Sequence, residues 1–142
     1  MTGSWQLWAA GSAVFAALTA IFGKIGVAEI DSNLATFIRT VFIVGVLAAI
    51  VIFTGAWQPL NSIPRRTWVF LLLSGLATGA SWLCYYHALK IGPASGVAPI
   101  DKMSVVLVAL FGVTLLGEKL TPQNWLGVAM MAAGAVLVAA RT

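Results

Sequence analysis

Five long apolar stretches set the tightest limit on what this chain can fold into. They cover residues 5–23, 34–54, 67–89, 93–116 and 124–140. Each is close to the length of about 20 residues that a helix needs to cross a bilayer. Lipid offers no partner to backbone N–H and C=O groups, so a spanning segment must satisfy them internally. The sequence therefore predicts an all-α integral membrane protein with five transmembrane helices.

The composition agrees with this fold and predicts a single domain. Of the 142 residues, 61% are hydrophobic and 8% are charged, whereas about a quarter of the residues in soluble domains are charged. The five predicted helices occupy most of residues 1–142, so we expect one transmembrane domain without a soluble module. The net charge of +4 comes from scattered lysines and arginines rather than a basic patch. We therefore expect no binding of nucleic acid.

Residue types that carry catalysis are scarce in this chain. It has one histidine, one cysteine and four acidic residues. These residues form no pair of carboxylates and no spacing typical of metal ligands, and no glycine-rich phosphate loop follows a strand. We expect no enzyme activity, no metal and no cofactor.

Two opposite charges, Asp101 and Lys102, interrupt the apolar stretch from Pro93 to Leu116. If a helix begins at Pro93, Asp101 lies about 12 Å into it at about 1.5 Å per residue. Ionised groups at such depth are costly and usually mark a polar pathway. Neighbouring residues point about 100° apart around a helix, so we expect these two side chains not to satisfy each other. Each is predicted to find a partner on another helix, in a water-filled cavity or on a ligand.

Other polar and ionisable groups gather in the same half of the membrane. An odd number of helices puts the termini on opposite sides, and we call the N-terminal side A and the other side B. Arg39 in the second predicted helix and His87 in the third lie nearer side B. We predict a polar vestibule that opens to side B, with aromatic side chains in its wall. The candidate substrate-binding residues are Asp101, Lys102, Arg39, Trp82, Tyr86 and His87.

A simpler interpretation applies to some of these groups. Lys24 and Lys90 end their predicted helices, and we expect their long side chains to reach lipid headgroups. Arg39 could reach them in the same way. His87, one to two turns from a helix end, could equally reach interfacial water. For Asp101 and Lys102 we favour a functional role or a buried polar network, because ionised groups inside a membrane are rare without one.

Positive charges at the predicted helix boundaries are balanced between the two sides. Side A has Arg65, Arg66 and Lys119, and side B has Lys24, Lys90 and Arg141. Cytoplasmic loops usually carry an excess of lysine and arginine, so this balance predicts insertion in both orientations and pairing as an antiparallel homodimer. The alternative is one orientation, in which the Arg65-Arg66 pair places side A in the cytoplasm.

Two parts of the sequence form a recognisable pattern. Gly117-Glu118-Lys119-Leu120-Thr121 is followed by a last helix that contains Gly127 and Gly134, and the fourth helix contains Ala94, Ala98 and Pro99. These motifs, of which the first is the most specific, resemble the EamA domain of the drug/metabolite transporter superfamily. Larger members look like two five-helix repeats in inverted orientation, and this chain resembles one such half-repeat. The resemblance implies a homodimer in a bacterial or archaeal cytoplasmic membrane that exports or exchanges small metabolites.

Two departures limit what the resemblance implies. A related small multidrug resistance group depends on a membrane glutamate in its first helix, and this chain has no carboxylate before Lys24. Proton-coupled multidrug export by that route is therefore not expected. Asp101-Lys102 is a charged pair where many members look apolar, so the cargo of those relatives transfers poorly. Glu118 lies beside a loop and is predicted to stabilise a helix end or that loop rather than to couple transport.

These observations predict a secondary transporter of a small polar metabolite. Arg39 and Lys102 set against Asp101 leave one excess positive charge in the polar half, which favours an anionic or zwitterionic substrate. Asp101 could instead carry a coupling proton, because desolvation raises the pKa of a carboxyl group while a neighbouring cation opposes that shift. The alternative function is a non-transporting membrane subunit that stabilises or regulates a partner complex, its charges serving only assembly.

Overall fold

The computed structural model describes residues 4–140, and this part of the chain is helical without strands. A short 3-10 helix, Leu60–Ser62, lies in the loop between the second and third long helices. The α-helices are α1 Trp5–Gly26, α2 Ser32–Phe53, α3 Arg65–Ile91, α4 Ala94–Asp101, α5 Ser104–Leu115 and α6 Pro122–Ala139. Arg141, which was counted at side B, lies outside the described residues.

Five helical segments are long and apolar enough to cross a membrane, which confirms the predicted number. Four of them are α1, α2, α3 and α6, and the fifth is the segment Ala94–Leu115 that α4 and α5 share. Most large apolar side chains of these segments are exposed, Phe42 by 71% and Phe53 by 89%. Surfaces of this kind suit lipid or a partner helix rather than water.

The chain divides into two compact units. One consists of residues 23–90, and the other combines the segments before and after them. The first unit contains α2, α3 and the C-terminal end of α1, and its two fully buried large side chains are Val27 and Leu89. The second unit contains α4, α5, α6 and the rest of α1.

Side-chain caps begin two of the helices. The Oδ1 atom of Asp31 accepts hydrogen bonds from two backbone N–H groups of the first turn of α2, including that of Asn33 at 2.9 Å. This cap starts α2 two residues earlier than the apolar pattern predicts. At α6, the hydroxyl of Thr121 accepts from the N–H of Asn124, and Pro122 takes the first helical position. Proline fits there because no intrahelical partner exists for an N–H group at that position.

The predicted fourth helix spans as one segment, Ala94–Leu115, and is irregular at Lys102 and Met103. Helix α4 ends at Asp101 and α5 begins at Ser104. Across the break, the N–H groups of Met103 and Val105 donate to carbonyls three residues earlier, at 2.9 and 3.0 Å. Such bonds tighten a helix locally to the 3-10 form, and Pro99 one turn before the break can donate no backbone hydrogen bond.

The Gly-Glu-Lys motif folds back onto the end of α5. Gly117 has a φ of 70°, a left-handed conformation that glycine adopts without strain, and the N–H of Glu118 donates to the carbonyl of Gly112 at 3.0 Å. A Cβ atom on Gly112 would lie only 2.7 Å from the Oε2 atom of Glu118. The contact agrees with the prediction that Glu118 stabilises a helix end.

Replacing Gly112 with alanine should cost little, because the new methyl group meets only the carboxylate of Glu118, the far end of an exposed and flexible side chain. Alanine is favoured over glycine inside a helix by about 1 kcal/mol, so we expect the midpoint of thermal unfolding in detergent to stay equal or rise. Gly127→Ala is the matched control, since a Cβ atom there meets nothing within 4 Å. A midpoint that falls by roughly 4 °C or more in Gly112→Ala alone would contradict a carboxylate that is free to move.

Candidate functional site

Arg39 of α2 lies against two aromatic rings of α3. Its guanidinium carbon lies 4.1 Å from the ring centroid of Trp82 and 5.1 Å from that of Tyr86. Trp82 and Tyr86 are four residues apart and therefore share one face of α3. Both distances lie within the range of about 6 Å over which a cation is attracted to an aromatic face. All three residues belong to the unit formed by residues 23–90.

The guanidinium of Arg39 has an unused hydrogen-bond donor. Its Nη1 atom is buried and has no hydrogen-bond partner among the described residues. A buried donor without a partner costs about 1–3 kcal/mol and more for a charged group, and an aromatic face replaces the lost water only in part. Such an atom in a folded protein calls for an explanation, and a ligand that accepts hydrogen bonds is one.

Tyr86 packs closely against the backbone of a glycine in α1. The tyrosine is only 4% exposed, and a Cβ atom built on Gly23 would lie 2.9 Å from its hydroxyl oxygen. The neighbouring Tyr85 contacts its ring edge to face, with centroids 6.0 Å apart. The lack of a side chain at Gly23 is therefore what lets Tyr86 lie beside α1 while its ring contacts Arg39.

Two lysines fix the ends of helices around this cluster. The Nζ atom of Lys24 donates to the carbonyl of Leu89 at 2.6 Å, and that of Lys90 donates to the carbonyl of Ile30. The last carbonyls of a helix have no intrahelical partner and attract cations, and Leu89 lies in the last turn of α3. Both ammonium groups thus donate to the backbone, and contact with lipid headgroups through their remaining donors stays a prediction.

A cavity of about 620 Å³ lies between α2 and α3, and Trp82 lines it. Three threonines also line the cavity, but their hydroxyls donate to carbonyls four residues earlier on their own helices. These are Thr36, Thr40 and Thr78, with oxygen–oxygen distances of 2.8, 2.7 and 2.9 Å. Because these hydroxyls are bonded locally, the surface that they present is largely apolar. We call this cavity the α2–α3 groove.

The predicted site residues fall into separate places in the two units. Arg39, Trp82 and Tyr86 form the cluster in residues 23–90. His87 is exposed and follows Tyr86 on α3, about 100° farther around the helix. Asp101 and Lys102 lie at the break between α4 and α5, in the other unit.

Asp101 and Lys102 pair with each other, so the expectation that they could not is wrong. The Nζ atom of Lys102 lies 3.0 Å from the Oδ2 atom of Asp101, with the lysine side chain 58% exposed and the aspartate 33%. The helix is interrupted at this point, and the lysine side chain is flexible enough to bend back toward its neighbour. The prediction assumed a regular helix.

Sequence reasoning missed the contribution of Gly23 and of the threonines in the groove. Gly23 lies inside a helix, where glycine lowers stability by about 1 kcal/mol relative to alanine. A glycine at such a position can indicate a close contact that leaves no room for a side chain. The threonines gave no comparable signal, because their local hydrogen bonds depend on the helix and leave no pattern in the sequence.

Comparison with known proteins gives relatives that are described as transporters. A Sinorhizobium protein described as an uncharacterized transporter in the cobO 3' region is 65% identical over 139 residues, 98% of this chain and 99% of that protein. The uncharacterized transporter YwfM of Bacillus subtilis is 31% identical over 77 residues, 54% of this chain but 26% of that protein. A probable 4-amino-4-deoxy-L-arabinose-phosphoundecaprenol flippase subunit, ArnE, of Hamiltonella defensa is 31% identical over 85 residues, 60% of this chain and 75% of that protein. No solved structure matches the chain.

The family comparison covers nearly the whole sequence and confirms the resemblance in the Gly-Glu-Lys motif and the last helix. The profile that describes the EamA-like transporter family matches residues 3–140. The bacterial relative that aligns over almost its full length agrees with a place in a cytoplasmic membrane. With five helices able to cross a bilayer, the chain is an integral membrane protein that belongs to the EamA-like transporter family.

Proposed function

We propose that the protein is a secondary transporter of a small polar metabolite with an anionic or zwitterionic group, and that Arg39 binds this group. Membership of a transporter family supports transport as the activity. One observation supports an anionic group on the substrate. The Nη1 atom of Arg39 is buried and has no hydrogen-bond partner among the described residues.

The chemistry of a guanidinium supports an anionic ligand. Arginine presents a planar fork of N–H donors that matches a carboxylate or phosphate with two parallel hydrogen bonds. The attraction between opposite charges is several times stronger near a low-dielectric interior than in water. Trp82 and Tyr86 hold the cation over their rings and limit its motion, so less freedom is lost when the ligand binds.

The break between α4 and α5 supports a second polar element of the transport path. Discontinuous helices form the substrate and ion sites of many transporters, because their interrupted ends expose backbone dipoles near the middle of the membrane. Asp101 and Lys102 lie at a milder irregularity, where the backbone keeps right-handed helical angles but tightens to 3-10 hydrogen bonds. We propose that Asp101 carries a coupling proton when its ion pair with Lys102 opens. His87 is exposed, and this proposal does not require it.

We propose that two copies of the chain form the transporter as an antiparallel homodimer. The stretch aligned with YwfM makes up 54% of this chain but 26% of that protein, so the relative is about twice as long. A second copy would supply the missing half, as in transporters built from inverted repeats. The balanced boundary charges support insertion in both orientations.

A second candidate function is favoured by the name of one relative. ArnE is described as a flippase subunit, so this chain could act with a different partner chain and need not transport alone. The purified protein would then move no solute and would copurify with one fixed membrane partner.

Uptake by reconstituted vesicles tests the role of Arg39. We expect radiolabelled glutamate, succinate or phosphate to be taken up in preference to lysine. Arg39→Gln should weaken the apparent affinity for the transported anion about 10- to 100-fold, because a hydrogen bond to a charged group contributes about 1.5–3 kcal/mol. Arg66→Lys is the control, since this arginine lies near a different ring, that of Phe70, and lysine keeps the positive charge at the helix boundary. Preference for lysine, or unchanged affinity in Arg39→Gln, would disprove the proposal.

The proton-coupling role of Asp101 gives a separate prediction. Asp101→Asn removes the group that binds the proton, so uptake should no longer respond to an imposed pH gradient. Flux with and without the gradient measures this response, and Glu118→Gln controls for the loss of a carboxylate at a helix end. An undiminished response in Asp101→Asn would assign coupling to another group.

If the chain inserts in both orientations, C-termini should be found on both sides of the membrane. A C-terminal fluorescent reporter active only in the cytoplasm and a phosphatase active only outside should both give signals from the unmodified chain. One added lysine should shift this balance, Gln58→Lys placing side A in the cytoplasm and Ala28→Lys placing side B there. A signal from one reporter alone in the unmodified chain would leave only a single orientation.

A further inference from the structure

The α2–α3 groove offers an apolar surface directly beside a charged group. Phe37, Val44 and Leu71 line it with exposed apolar side chains, and the hydroxyls of its three threonines are bonded to their own helices. A wholly polar ligand would find few free partners there. An apolar chain would cover surface that is otherwise left to lipid.

The dimensions of the groove suit one hydrocarbon chain. Its lining residues run from Asn33 to Val44 on α2 and from Leu71 to Leu83 on α3. At about 1.5 Å per residue this is a length of roughly 17 Å, about one leaflet of a hydrocarbon core some 30 Å thick. The volume of about 620 Å³ lies within the range of sites that hold one small ligand, about 300–1,000 Å³.

Trp82 lies between the α2–α3 groove and the positive charge of Arg39. The same indole ring that lines the groove lies 4.1 Å from the guanidinium of Arg39. Arg39 is not itself a lining residue, and its buried Nη1 atom has no partner in the part of the chain that the structure describes. A head group at the Trp82 end of the groove would lie close to this cation and would pair with Nη1 once the guanidinium turns toward the groove. A cationic head would be repelled there, and an uncharged chain would leave the donor unpaired.

A second copy of the chain is a poorer occupant, because Asp101 is the one acidic residue inside a membrane-spanning segment of residues 4–140, and it is already paired. The chain has four acidic residues. Asp31 caps α2 and Asp101 pairs with Lys102. Glu118 lies against Gly112, and Glu29 lies in the loop between α1 and α2. A docked helix of the same sequence would leave the Nη1 donor of Arg39 without a hydrogen-bond partner.

We propose that the α2–α3 groove binds a single-chain amphiphile, with its apolar chain between α2 and α3 and its anionic head on Arg39. The inference rests on the proposed function for the role of Arg39 and deepens it, because the transported metabolite would then have an apolar portion. Binding of the amphiphile can be measured without transport, so the two proposals can fail separately.

Equilibrium binding of radiolabelled dodecanoate to the full chain in phosphatidylcholine nanodiscs tests the inference. We expect saturable binding of one molecule per chain, and competition at least tenfold weaker from acetate, which lacks the chain, and from dodecyltrimethylammonium, which has the opposite charge. Arg39→Gln should weaken binding at least tenfold. Gly75→Leu should do the same, because Gly75 lines the groove and a Cβ atom there meets nothing within 4 Å.

Gly45→Leu is the matched control for filling the groove. Gly45 lies on α2 outside the lining, and a Cβ atom there is equally free of contacts, so this variant should bind dodecanoate like the unmodified chain. A photoreactive dodecanoate analogue gives a second measurement that needs no variant. Its chain should crosslink to peptides that contain residues 33–44 or 71–83.

The outcomes separate this inference from the proposed function. Undiminished dodecanoate binding in Arg39→Gln or in Gly75→Leu would overturn the inference, as would crosslinks confined to other helices. Arg39-dependent uptake of succinate without any dodecanoate binding would overturn it and leave the proposed function standing. Dodecanoate binding that depends on Arg39, without uptake of any anion, would support the site and overturn the transport of small anions. Loss of dimer contacts in Gly75→Leu, with no bound dodecanoate in the unmodified chain, would assign the groove to a second copy.

Discussion

Backbone hydrogen bonding in a medium without water determines this architecture. Each spanning segment must bond its own N–H and C=O groups, which leaves helix ends and interruptions as the only places where the chain needs outside partners. The structure supplies those partners one by one. The Asp31 carboxylate accepts from the first N–H groups of α2, Lys24 donates to a carbonyl in the last turn of α3, and Lys90 donates to the carbonyl of Ile30 in the α1–α2 loop. Several of the few polar side chains in the chain are therefore committed to the backbone.

Arg39 stands apart from this pattern because its charge is not used to complete a helix. Its guanidinium rests on Trp82 and Tyr86, and Nη1 keeps an unused donor among the described residues. Ionised groups inside a membrane are usually functional, since their burial costs free energy that a purely structural role does not recover. The ion pair of Asp101 and Lys102 differs, because each charge already has a partner at the break between α4 and α5.

The sequence was sufficient for the number of helices but not for how they begin, break and contact one another. Apolar length alone gives the five spans, since the bilayer imposes the same requirement on each of them. The break after Asp101 could not be predicted, because apolar residues continue on both sides of it and Pro99 is tolerated in many membrane helices. For Arg39, Trp82 and Tyr86, the sequence predicted only that they lie in the same polar half of the membrane, not that they contact one another. The residues lie on different helices, and their distance depends on packing that no local pattern encodes. Pairing of adjacent charges was excluded by an argument that holds only for a regular helix.

The contact of Gly23 with Tyr86 has a mechanical consequence. There is no free space between the α1 backbone and the phenol oxygen, so α1 cannot slide toward α3 at this level unless the ring turns. The guanidinium carbon of Arg39 lies 5.1 Å from the centroid of the same ring. A rearrangement of α1 at Gly23 that turned this ring would therefore also change the surroundings of the positive charge on α2.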